Sequence, residues 1–139
     1  MFSKHNLKYF SAAEFGEYAD QLAPSLLTSL DKFRELWGAP VLISPVDGAI
    51  GRHLGHDNLS QHNIDRWGEV RAVDVFPEGL NSLTAKRAYE CAKKAGFTGI
   101  GLYSDTRPSW MMHLDVRDGK LATWSRVAGN YLGINELIA

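Results

Sequence analysis

Apolar residues recur along the chain with two different periods, and the switches between them divide it into helices and strands. Leu22, Leu26, Leu30, Phe33 and Trp37 fall on one helical face, Pro24 suits a first turn, and Gly38 followed by Pro40 ends the run. Upstream, Ser11-Ala12-Ala13-Glu14 has capping-box spacing, and Phe10 and Phe15 stand where a hydrophobic staple packs, so a helix is expected to begin near residue 12. Residues 41–44 form a short β-rich run. Residues 47–63 are polar, glycine-containing and rich in histidine with no sustained period, and irregular loops of that length in small domains tend to be functional. Residues 70–76 alternate, placing Ala72, Asp74 and Phe76 on one side and Arg71, Val73 and Val75 on the other, until Pro77 closes the strand. A helix capped by Asn81 or Ser82 runs through Ala85, Ala88, Tyr89 and Ala92 to Gly96. Strands follow over residues 99–103 and 110–116, and Asp118-Gly119 predicts a hairpin that returns through 121–125. Residues 130–139 fit a short closing helix or a strand equally. Together these elements predict an α+β fold, with a small, mainly antiparallel sheet, helices packed mainly on one face and a groove on the other.

Length and composition narrow this picture. A chain of 139 residues, 45% hydrophobic and 22% charged, fits one domain over residues 1–139, with no repeat or linker to divide it. The net charge of -1 provides no field that would draw in nucleic acid or an anionic membrane, and neither is expected as a partner. The single cysteine, Cys91, excludes an intramolecular disulfide and a thiolate cage, so a bound metal must be held by histidines and carboxylates. The first ten residues lack the apolar run of a secretory signal, and no later segment approaches the roughly 20 apolar residues of a membrane span. Synthesis in the cytoplasm without a signal peptide, as a monomer, is the expectation.

Candidate chemistry gathers on two of the predicted strands. Asp74 and His113 both lie on strands, Asp115 shares a face with His113, and His62 sits in the loop before the first of them. One Asp and one His on a rigid sheet, with a second His from an adjoining loop, suit a catalytic zinc that keeps a fourth position open for water. Five histidines and sixteen carboxylates also permit chance triples. His113 can equally be a half-buried strand histidine, His62 a loop residue, and Asp74 a partner for Arg71 or Arg117.

Several ordered motifs then agree. Lys8-Tyr9-Phe10-Ser11-Ala12-Ala13-Glu14-Phe15, Pro40-Val41-Leu42-Ile43-Ser44, Ser60-Gln61-His62, Arg71-Ala72-Val73-Asp74, Gly96-Phe97-Thr98-Gly99-Ile100-Gly101-Leu102-Tyr103 and His113-Leu114-Asp115-Val116-Arg117 resemble, in sequence order, the zinc D-Ala-D-Ala carboxypeptidase family, whose fold is shared with hedgehog-type domains. The resemblance implies one zinc per chain, with His62, Asp74 and His113 as ligands. It also implies hydrolysis of a peptide bond in the stem peptide of bacterial peptidoglycan, by an endolysin or a wall-remodelling enzyme. Such an enzyme acts at the wall or periplasm when another factor delivers it, or as part of a virion.

The chain departs from the family pattern at three places. Between His62 and Asp74 it carries a longer stretch that includes Ile64-Asp65-Arg66-Trp67-Gly68, and Val70 replaces an expected glycine. Trp67 is then either a wall for substrate or an anchor for the inserted loop. Trp110 stands three residues before His113, where several relatives place a carboxylate base. Asp115 is the first alternative base, or else a residue that orients the His113 ring, and Glu69 is the second. Ser44-Pro45-Val46-Asp47 replaces a Ser-Gly-Tyr-Arg-Ser segment, leaving Arg52 to bind a substrate carboxylate or to be a solvated loop arginine. His53 and His56 are reserve ligands. These departures motivate two competing readings: a non-catalytic phage structural or binding module that keeps the fold, and a zinc hydrolase of some other amide.

Overall fold

The alternating and β-branched runs become strands β1 (Val41–Ile43), β2 (Ala72–Pro77), β3 (Gly99–Tyr103), β4 (Met111–Asp115), β5 (Ala122–Val127) and β6 (Asn130–Leu132). The computed structural model describes residues 7–139 and joins these strands into one sheet in the order β1-β2-β4-β3-β5-β6. Every neighbouring pair is antiparallel except β3 with β5. Four helices accompany them: α1 (Pro24–Trp37), α2 (Ile64–Trp67), α3 (Ala85–Ala95) and α4 (Asn135–Ile138). The fold is α+β, as the sequence pattern predicts. No helix among the described residues is long and apolar enough to cross a membrane. The reading of the first ten residues as lacking a secretory signal falls partly on residues 1–6, outside the described residues.

Alternation sets the two faces of the sheet. Val73 and Val75 of β2, Ile100 and Leu102 of β3, and Met112 and Leu114 of β4 point to one side, where they join Leu26, Leu30 and Phe33 of α1 and Ala88 and Ala92 of α3 in a buried cluster. The apolar stripe read from the sequence is therefore the face of α1 that covers the sheet, with Pro24 at its N-terminus and Gly38 at its end. The opposite face carries Asp74, His113, Asp115, Gly99 and Gly101.

Three sequence expectations change. The helix expected near residue 12 is a short 3-10 segment (Ala12–Tyr18), interrupted at Gly16, where the backbone turns to φ 56° and ψ -135°. Its capping pattern is nonetheless present: Ser11 N–H donates to the Glu14 carboxylate at 2.7 Å, and the Phe10 and Phe15 rings lie 6.1 Å apart. The hairpin expected at Asp118-Gly119 does not form. Both edges of β4 are taken, by β2 and β3, so the chain crosses the end of β3 and pairs β5 parallel to it. Thr98 fastens this crossing: its hydroxyl donates to the Arg117 carbonyl at 2.7 Å, and its own carbonyl accepts from Ala122 N–H at 2.8 Å. The last ten residues, open between helix and strand, hold both β6 and α4.

Two glycines let side chains of neighbouring strands lie across β3. The register places Asp115 beside Gly99, and His113 and Trp124 beside Gly101. A Cβ on Gly101 would stand 2.5 Å from Trp124 Nε1, and one on Gly99 would fall on the Asp115 carboxylate. Gly99→Ala is accordingly expected to cost about 1–3 kcal/mol in urea unfolding, the usual penalty for overpacking. Gly133→Ala, whose added Cβ meets nothing within 4 Å, should leave stability within about 0.5 kcal/mol of the parent.

Candidate metal centre

Asp74 and His113 are direct partners across the β2–β4 pair, so the sheet itself fixes two of the three side chains. His62 comes from the long loop, which is held from several sides. Arg52 N–H donates to the His62 carbonyl at 2.8 Å, and Ile64 N–H donates to the Arg52 carbonyl at 2.9 Å. Asn63, fully buried, donates to the Gly55 and Asn58 carbonyls at 2.7 and 2.8 Å, and its Oδ1 accepts from Leu54 N–H at 3.0 Å. The segment at Ala49 and Ile50 ties loop to sheet: the Ala49 carbonyl accepts from Asp74 N–H at 2.9 Å, and the Ile50 carbonyl lies 2.7 Å from His62 Nδ1.

The three side chains converge on one point. His62 Nε2 lies 3.3 Å from His113 Nδ1 and 3.4 Å from Asp74 Oδ1, and His113 Nδ1 lies 3.2 Å from the same oxygen. All three residues are buried. A backbone carbonyl can only accept, so His62 Nδ1 carries the proton and Nε2 presents a lone pair. His113 Nε2 lies 2.7 Å from Asp115 Oδ2, a carboxylate, so Nε2 carries the proton and Nδ1 likewise presents a lone pair. Three acceptors thus face one another with no donor among them. Nitrogen and oxygen ligands about 2.0–2.1 Å from a tetrahedral zinc stand about 3.3 Å apart, which is the separation observed. The donor set fits zinc.

Electrostatics agree with a site built for a cation. Burial pushes the Asp74 carboxyl up, but the His113 and His62 rings beside it outweigh this and hold the group well below the usual carboxylate range. Burial also pushes the His113 imidazole down, and Asp115 and Asp74 together overcome this and raise it above its ordinary 6.5. Without metal, the three converging acceptors therefore share a proton.

The sequence-predicted site residues fall into two groups. His62, Asp74 and His113 come together, and Arg52 lines the same cavity of about 400 Å³. Asp115 does not line it. Its carboxylate is fully buried and taken up by His113 and by Arg117, whose Nη2 donates at 2.6 Å and Nε at 2.9 Å. Burial raises the Asp115 pKa, but the Arg117 and His113 bonds outweigh this and bring it down to about 2. That position, behind the ring and away from the ligand triangle, fits the orienting alternative rather than the base. Glu69 also lies outside the cavity lining and pairs with Arg71 at 3.1 Å. Trp67 fits the loop-anchor alternative: its Nε1 donates to the Ser60 carbonyl at 2.9 Å, and the guanidinium of Arg71 stacks 4.4 Å from its ring. Trp110 packs against the helix-side core, the face opposite His113. His53 is paired with Asp65 at 2.8 Å on the surface, and His56 is exposed beside Asp57.

Sequence reasoning missed most of the cavity wall. Tyr103, Trp124, Arg126 and Tyr131 line it together with the ligands. Trp124 packs against His113, ring centroids 5.1 Å apart, and its Nε1 donates to the Tyr103 hydroxyl at 2.9 Å. Burial pushes the Tyr103 phenol up to about 12. Arg126 is held by Asp105 at 3.0 Å. An adjoining lobe of about 260 Å³ shares Arg52, Asp74, Met111 and Arg126 with the first cavity and reaches Phe76 and Arg107. The one available signal was the Gly99-Ile100-Gly101 spacing, which announces that neighbouring side chains cross this strand. Comparison with known protein families, with curated proteins and with solved structures finds no match to this chain.

The buried triad gives a pH signature. In zinc-free protein the raised His113 pKa adds stability that is complete below its ordinary 6.5 and is lost as pH rises through the folded value. The lowered Asp74 pKa adds stability above its ordinary 3.8 that is lost as pH falls through the folded value. Urea unfolding of metal-free protein should therefore show greatest stability between about pH 4 and 6.5 and a decline as pH rises above that window. A flat profile above that window would contradict the shared proton.

Proposed function

We propose that this chain is a zinc-dependent peptidase that hydrolyses a peptide bond in the stem peptide of bacterial peptidoglycan. The observation that carries this reading is the convergence of three ligand atoms 3.2–3.4 Å apart on the wall of a cavity large enough for a peptide segment. The substrate class comes from the resemblance of six ordered motifs to the zinc D-Ala-D-Ala carboxypeptidase family. His62, Asp74 and His113 would hold the zinc ion, which would supply the Lewis acidity needed to activate water and polarise a carbonyl.

The protein's own residues do the rest. His113 is oriented by Asp115, which is oriented in turn by Arg117. Arg52 and Arg126 border both lobes of the cavity, so a substrate running through it passes two guanidinium groups suited to a carboxylate. Water adds to the carbonyl carbon, the C–N bond breaks, and one water proton ends on the departing amine. Among the described residues that line the lobe of about 400 Å³, Asp74 is the only carboxylate and His62 and His113 the only histidines, while Asp47 and Asp105 line the adjoining lobe.

The same observation favours a second reading, in which the chain is a non-catalytic module that keeps the zinc and the peptide cavity. Incubating zinc-loaded protein with purified muropeptides, followed by mass spectrometry, separates the two. The peptidase reading expects one new cleavage product, and loss of both bound zinc and cleavage in His113→Ala. Intact muropeptides after prolonged incubation with fully metallated protein would favour the module.

A further inference from the structure

We propose that Tyr103 donates a hydrogen bond to the oxygen on which negative charge builds when the scissile carbonyl is attacked. This rests on the peptidase reading and assigns a residue to a task that the ligand triangle leaves undone. A tyrosine hydroxyl has one proton to give and lone pairs to receive. The Trp124 Nε1–H, which can only donate, occupies the acceptor side of the Tyr103 oxygen at 2.9 Å. The hydroxyl is therefore set as a donor, on the wall of the cavity that holds His62, Asp74 and His113. Tyr131, on the exposed edge strand, stands edge-on to the Tyr103 ring, with centroids 6.3 Å apart.

Rigidity is what makes a neutral donor useful, because a group already aimed at the developing charge loses nothing to reorganisation. Tyr103 is buried, and its ring lies over Gly101, where a Cβ would stand 2.9 Å from it. The same glycine admits Trp124, which packs on His113, so a single indole fixes the spacing between the donor and a metal ligand. The phenol also keeps its proton throughout the working pH range, since burial pushes its pKa up. The two arginines of the wall are otherwise engaged: Arg126 Nε with Asp105, and Arg52 Nε with the Gly48 carbonyl at 2.7 Å. Their charge suits a substrate carboxylate better than a transient oxyanion.

The test is Tyr103→Phe in the full, zinc-loaded chain, with three readouts. These are zinc stoichiometry, kcat and KM on muropeptides, and calorimetric affinity for an N-acetylated alanyl-alanine phosphinate, whose tetrahedral oxyanion mimics the attacked carbonyl. The proposal expects unchanged zinc and KM, a kcat lowered about 100- to 1000-fold, and a similar loss of phosphinate affinity. If the parent cleaves and Tyr103→Phe keeps kcat within threefold, the assignment is overturned. If the parent cleaves nothing but binds the phosphinate far better than Tyr103→Phe does, the peptidase reading falls, and with it the catalytic task, leaving Tyr103 only as a donor to a bound oxyanion. Equal phosphinate affinity in both proteins overturns the donor assignment whether or not the parent cleaves.

Discussion

Three hydrogen-bond acceptors held 3.2–3.4 Å apart in a buried place repel one another unless something positive lies between them. That constraint organises the site side of this protein. The sheet supplies two of the acceptors as direct cross-strand partners, and the loop supplies the third with its backbone pinned by Arg52 and the buried Asn63 amide and the His62 ring held by the Ile50 carbonyl. The protons that would relieve the repulsion are directed outwards, on His62 to the Ile50 carbonyl and on His113 to Asp115. Asp115 is in turn neutralised by Arg117, so the chain of bonds ends in a cation just past the end of β4 rather than in an unpaired buried charge.

The same face shows how a strand with little side chain of its own becomes the floor of a site. Gly99 and Gly101 leave β3 bare, and the space is filled from both neighbours: Asp115 from one side, and Trp124 from the other. His113 thereby has a carboxylate behind it and an aromatic plate against it, which restrict its ring from two directions. Packing on the helix side does the complementary work. Met112 and Leu114, which alternate with His113, are locked into the core with α1 and α3, and this carries the rigidity of the core to the ligands.

Local pattern carried the sequence reading as far as local physics reaches. The alternation over 70–76 placed Asp74 opposite Val73 and Val75, the stripe from Leu22 to Trp37 marked the face that covers the sheet, and the motif order brought out His62, Asp74 and His113. What could not be read depends on which strands pair. The dipeptide Asp118-Gly119 is a turn signal, but it forms no hairpin, because β4 already has two partners and β5 must go to the far side of β3. That single crossing decides that Trp124, Arg126 and Tyr131 border His62, Asp74 and His113; the spacing of Gly99 and Gly101 announces a bare strand but not which side chains cover it. The roles of Asp115 and Trp67 were each open between two alternatives, since choosing between them needs the identity of the group each side chain touches.

The account stands or falls on the three converging acceptors. The most direct measurement is an anomalous difference map at the zinc absorption edge from crystals of protein purified without added metal. The account predicts one peak per chain, about 2.0–2.1 Å from His62 Nε2, Asp74 Oδ1 and His113 Nδ1. A map with no peak there, even after soaking in zinc, or with zinc held instead at His53 and His56, would contradict it.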